Sequence, residues 1–116
     1  MSRDYILYLQ DISLHCEKIL RFTQNVTFEQ FASNDEKVYA VVKSLEIIGE
    51  AANHLPEAFR VKHSEIEWKK LVAMRHELVH EYFGIDQEVV WSAVKDSIPQ
   101  LAIKIAEIIS HENYTE

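Results

Sequence analysis

Residues 74–83 read M-R-H-E-L-V-H-E-Y-F, and Arg75, His76, Glu77, His80 and Tyr82 within them are the side chains best suited to chemistry. Trp68, Leu71, Arg75, Leu78 and Tyr82 recur at steps of three and four, which stacks them along one face of a helix. Arg75 therefore falls inside an apolar stripe. A guanidinium buried there without a partner costs several kcal/mol, so it requires a carboxylate, a phosphate or a water-filled groove. A purely structural ion pair satisfies the same requirement. His80 follows five residues later, which on an ideal helix is about 140° around the axis and about 7.5 Å along it. No narrow face holds both. Either the helix frays near His80, or Arg75 of one subunit approaches His80 of another across a two-fold axis. A lone histidine near an apolar face is more often packed core than catalyst, and a helical tyrosine such as Tyr82 is commonly amphipathic core as well. Residues 76–80 also spell H-E-x-x-H, which sets two imidazoles one helical turn apart to grip Zn²⁺. No downstream His or Glu context marks out a third ligand, and zinc leaves Arg75 and Tyr82 without a role. The expectation is no metal and no other cofactor.

The element that must position these groups is a helix predicted from about residue 65 to about Tyr82, opened by a capping box of Ser64 and Glu67 and stopped by Gly84. Before it, Tyr5, Leu9, Ile12, Cys16, Ile19 and Phe22 or Thr23 keep helical spacing and predict a first helix over 3–23. Thr27 with Gln30 forms a capping box for a short turn through Phe28 and Phe31. Asn34 or Ser33 caps a long third helix, with Asp35 and Glu36 at the positive end of its dipole and Val38, Val41, Val42, Leu45, Ile48, Ala52 and Leu55 as its apolar positions. Pro56 ends it. Asp86 caps a fifth helix through Val89, Val90, Val94 and Ile98, which Pro99 kinks or breaks by removing a donor and crowding the previous turn. Leu101 to Ile109 form a last amphipathic stretch. The expected class is all-α: an antiparallel bundle of about five helices with a kinked or broken C-terminal helix.

Composition sets limits. A chain of 116 residues fits one domain, 1–116, with a single core. Two glycines and two prolines leave little material for the turns of an all-β fold. No apolar run approaches the roughly 20 residues of a membrane span, and the start M-S-R-D-Y is unlike a signal peptide. A cytoplasmic protein is expected. Cys16 stands alone, which excludes an intramolecular disulfide and a cysteine-based zinc site. The net charge of −7 argues against a broad nucleic-acid surface, because phosphate affinity comes largely from Lys and Arg. Any phosphate chemistry must be local.

The spacing Arg75-x4-His80-x-Tyr82 resembles the signature of HepT-like proteins of the HEPN superfamily. I-I-G-E-A-A-N-H-L-P at 47–56 and the Val90-Trp91 pair after G-I-D look like family features too, so the similarity spans nearly the whole chain. His76 departs mildly from the family pattern, which usually carries another polar residue there, often Asn; whether His76 also contacts phosphate stays open. The resemblance implies a HEPN-like homodimer and a metal-independent endoribonuclease, with Arg75 and His80 in a cleft at the dimer interface. It implies a toxin of a toxin–antitoxin system whose partner is a minimal nucleotidyltransferase antitoxin that transfers AMP to the Tyr82 hydroxyl. RNA is then the substrate, with no DNA and no membrane as partner. Glu50, in the apolar run Ile47 to Ala52, is the candidate to orient Arg75 from the third helix; a solvated or capping carboxylate is the alternative. The rival from another class is a non-catalytic helical subunit that binds nucleotide or partner in a nucleotidyltransferase complex. A zinc hydrolase using residues 76–80 is the minor alternative.

Overall fold

In the computed structural model, residues 3–80 and 84–115 are described, with the side chains of 5–79 and 84–112. The element order is α1 (Arg3–Phe22), α2 (Phe28–Ala32), α3 (Asp35–His54), α4 (Glu57–Lys62), α5 (Trp68–Leu78), β1 (Val79–His80), β2 (Gly84–Ile85), α6 (Gln87–Ser92), a π-helical turn (Ala93–Ser97) and α7 (Ile98–Thr115). The fold is all-α apart from the two-residue antiparallel pairing Val79–Ile85 and His80–Gly84.

Three long helices carry the core. Leu9, Ile12, Cys16 and Ile19 of α1 are fully buried against Val38, Val41, Leu45 and Ile48 of α3, and Ile98, Leu101, Ile105 and Ile108 of α7 close the other side. All these positions follow the helical period, so burial of one stripe per helix drives the bundle. The caps read from sequence at three starts are formed. Thr27 and Gln30 bond reciprocally, Asn34 accepts from the Lys37 amide, and Asp86 accepts from the Val89 amide. At the far end, the nearly buried Glu112 of α7 lies 3.6 Å from Lys62 and 3.8 Å from His63, tying α7 to the end of α4.

Four local expectations require correction. Past Pro56 the chain forms the additional short helix α4. The Ser64–Glu67 capping box is not made: α5 starts at Trp68, its N-cap Glu67 has no side-chain cap bond, and the Trp68 indole donates to the His63 carbonyl instead. Ile66 is buried in this connection, and its amide bonds to the His63 carbonyl, so a buried apolar side chain and a turn outweigh the cap. Downstream, α5 ends at Leu78 rather than near Tyr82, because Val79 turns extended (φ −130°, ψ 125°) to pair with Ile85. The Leu78 carbonyl is taken by the Asp86 amide at 2.7 Å. Gly84 does not cap this helix; with φ +74° it begins β2, in a conformation that favours glycine. Before Pro99 the helix widens into the π turn, where the Ile98 amide reaches back to the Ala93 carbonyl, and Pro99 itself stands as the second residue of α7.

Candidate active site

The site begins with the crossing of α3 and α5. Trp68, Leu71, Met74 and Leu78 form the buried face of α5, and Gly49 of α3 lets that face come close. A Cβ added at Gly49 would sit 3.0 Å from the Leu71 carbonyl oxygen and 3.0 Å from the Arg75 Cγ. The Arg75 stem therefore lies across the glycine, and the guanidinium emerges at the rim of the interface with its side chain 41% exposed. This corrects the expected stripe: Met74 takes the inner place and Arg75 the edge. At the edge, the guanidinium Nη1 donates to Glu50 Oε2 at 2.6 Å. Of the partners the sequence allowed Arg75, a carboxylate is the one present.

Glu50 has a second neighbour. His54, one turn further along α3, has its Nδ1 3.6 Å from Glu50 Oε1 and 2.8 Å from the Glu50 backbone oxygen. A carbonyl can only accept, so Nδ1 carries the proton and Nε2 is left as the ring's variable position. The ring stacks at a tilt on Tyr8 of α1, centroids 5.2 Å apart. Tyr8, His54, Glu50 and Arg75 thus form a row across three helices. Of this row Glu50 is expected from the sequence, whereas Gly49 beneath it, His54 and Tyr8 are not. The signal for His54 was its step of four from Glu50 on one helix; for Gly49 it was a glycine in a helix interior, which costs stability unless close packing requires it.

His76 is exposed in the last turn of α5. His80 lies in β1, beyond the end of α5. The separation of about 140° holds only for a helix continuing through His80; α5 ends first, so that angle does not oppose a single-chain approach of Arg75 and His80. For the same reason His76 and His80 lack the one-turn helical register that H-E-x-x-H needs to grip zinc. Tyr82 lies outside the described residues. No helix among the described residues is long and apolar enough to cross a membrane.

The family model described as ribonuclease HepT-like matches residues 12–108. The chain belongs to the HepT-like ribonuclease family. Among HepT-like relatives, the protein named probable ribonuclease HepT from Thermococcus cleftensis is 41% identical over 108 residues, covering 93% of this chain and 98% of its own. A protein from Caldanaerobacter subterraneus subsp. tengcongensis, provisionally named an RNase, is 40% identical over 105 residues, covering 90% of this chain and 94% of its own. Another with a provisional RNase name, from Methanocaldococcus jannaschii, is 40% identical over 108 residues, covering 93% and 89%. No solved structure matches the chain. The HepT-like match takes in α3, α5, β1 and β2 whole, and therefore Glu50, Arg75 and His80.

Proposed function

We propose that this chain is a metal-independent endoribonuclease in which His80 acts as general base and Arg75 stabilises charge on the scissile phosphate. The observation that carries this reading is the Arg75 guanidinium, half exposed and braced by Glu50, on the last turn of the helix that leads into His80. Family membership and the ribonuclease names of the relatives support the substrate class. A neutral imidazole can take the proton of a ribose 2′-hydroxyl, and a guanidinium can neutralise charge on the phosphorane oxygens. The 2′-oxygen then displaces the 5′-oxygen, giving a 2′,3′-cyclic phosphate and a free 5′-hydroxyl. DNA lacks the nucleophile. Glu50 serves as a positioning residue, fixing the guanidinium's orientation.

The biological setting we propose is that of a toxin acting as a homodimer, neutralised by a nucleotidyltransferase antitoxin that transfers AMP to Tyr82. Phosphate added two residues along the chain from His80 would repel RNA, which would make the modification an off-switch. The reading rests on the motif Arg75-x4-His80-x-Tyr82 and the family.

The deciding experiment incubates the purified protein with RNA in EDTA. Arg75→Ala and His80→Ala should each lower cleavage by about 10²-fold or more. Equal cleavage by all three proteins would trace the activity to a contaminant, and no cleavage by wild type would leave a binding subunit in its place. Co-expression with a nucleotidyltransferase, followed by mass spectrometry, should place AMP on Tyr82. Neutralisation without that modification would remove the switch.

A further inference from the structure

Cleavage of RNA by its own 2′-hydroxyl needs two proton transfers, one from the 2′-oxygen and one to the departing 5′-oxygen. The ribonuclease reading, on which this inference rests, gives the first to His80 and assigns no donor for the second. We infer that His54 is that donor, a catalytic residue that delivers its Nε2 proton to the ribose 5′-oxygen.

Three observations carry this. First, His54 is held rather than loose: Nδ1 is anchored 2.8 Å from the Glu50 carbonyl and the ring rests on Tyr8. The anchored Nδ1 fixes the tautomer, so proton exchange belongs to Nε2. Second, one carboxylate joins His54 to the phosphate-binding cation: Glu50 has Arg75 on Oε2 and His54 near Oε1. A phosphodiester held by Arg75 and the imidazole of His54 would thus flank one and the same carboxylate. Third, Glu50 cancels the charge of Arg75, so that pair alone offers a phosphate no net attraction. With His54 protonated the trio is net positive. The groups that face this imidazole from the packed elements are Tyr8 on α1, Glu50 on its own helix and, through Glu50, Arg75 on α5. The side chain is 47% exposed, leaving it open to a substrate.

The balance of the step is complete without any further reactant. The 2′-O–P bond forms as the P–O5′ bond breaks; the 2′-proton goes to His80 and the Nε2 proton of His54 goes to O5′. His80 and His54 then hold each other's starting states, and exchange with water resets them.

The test is an RNA in which the 5′-bridging oxygen at one linkage is replaced by sulfur, whose thiolate leaves without protonation. On ordinary RNA, His54→Ala and His54→Gln should lower kcat by about 10²-fold with little change in KM. On the sulfur substrate both should come within about threefold of wild type, whereas His80→Ala should stay slow on both. The Gln variant keeps a side chain of similar reach, and its melting temperature reports on folding separately. Equal losses on the two substrates, or no loss on ordinary RNA, would overturn the role of His54 while leaving the ribonuclease reading in place. A wild-type protein inert toward both RNAs would overturn the ribonuclease reading and this one with it.

Discussion

At the scale of single residues, the pairing of Arg75 with Glu50 was partly legible. A cation at helical spacing among apolar residues had to find a partner, and a glutamate within an apolar run of the neighbouring helix was a natural one. For His54 the sequence offered only its step of four from Glu50, because the backbone carbonyl, the ring from α1 and the shared carboxylate around it meet only in the fold. His15 offers a separate test by pH. Its Nδ1 lies 3.0 Å from the Ser44 hydroxyl between α1 and α3, and burial, then the nearby Lys18, lower its pKa below the ordinary 6.5, with Asp11 opposing. A lowered histidine pKa means the unfolded chain binds the proton more tightly. Its contribution is thus present above pH 6.5 and is lost as pH falls from there toward the folded value. Urea unfolding of wild type should show stability declining as pH drops below about 6.5, and His15→Gln should flatten that decline. An unchanged slope in the variant would assign the decline to other groups.

At the scale of elements, the long helices were readable because each repeats its apolar stripe over many turns. The caps at Thr27, Asn34 and Asp86 were readable because a side-chain oxygen there meets an amide three residues away. The ends of α5 were not. Periodicity alone extended it to Tyr82, while the structure spends Val79 and His80 on the pairing with Gly84 and Ile85. Long-range pairing overrode local spacing. The crossing of α3 and α5 carries the element-scale prediction. An alanine in a helix interior ordinarily gains up to about 1 kcal/mol over glycine. At Gly49 the new methyl would press on a backbone oxygen, which cannot swing aside as a side chain can. Gly49→Ala should therefore destabilise, by about 1–3 kcal/mol in denaturant unfolding, and should reduce RNA cleavage by shifting Arg75. A variant as stable as wild type would show that the two helices slide apart at no cost.

At the scale of the whole molecule, the net charge of −7 and the proposed site of Arg75, His80 and His54 set the kind of RNA binding to expect. Few counterions are released when only one or two cations meet phosphate. The slope of log affinity against log salt should then be shallow, no steeper than about −2 per site, since each contact on a single strand contributes about −0.7. Filter binding with the cleavage-deficient His80→Ala protein over a range of salt would measure it. A slope several times steeper would reveal a broad basic contact surface, for instance one assembled between subunits. The molecule extends 45 × 29 × 21 Å, as three long helices side by side require.

The π turn at Ala93–Ser97 amounts to one surplus residue, absorbed without disturbing the apolar stripes on either side: Val90 and Val94 before it, Ile98 and Leu101 after it, are all buried. We expect the wider turn to leave the ring of Pro99 room where a plain α-helix would press it against the carbonyl four residues back. The surplus and the proline should then be mutually dependent. Deleting the exposed Lys95 should tighten the turn into ordinary helix and expose that conflict, at a cost of roughly 3 kcal/mol, while the same deletion combined with Pro99→Ala should recover much of the loss. Measured in a thermodynamic cycle, the two changes should be strongly non-additive. In a lineage, the order of the two events would then matter: an insertion in this helix makes the proline tolerable, and once the proline is in place the insertion can no longer be given up.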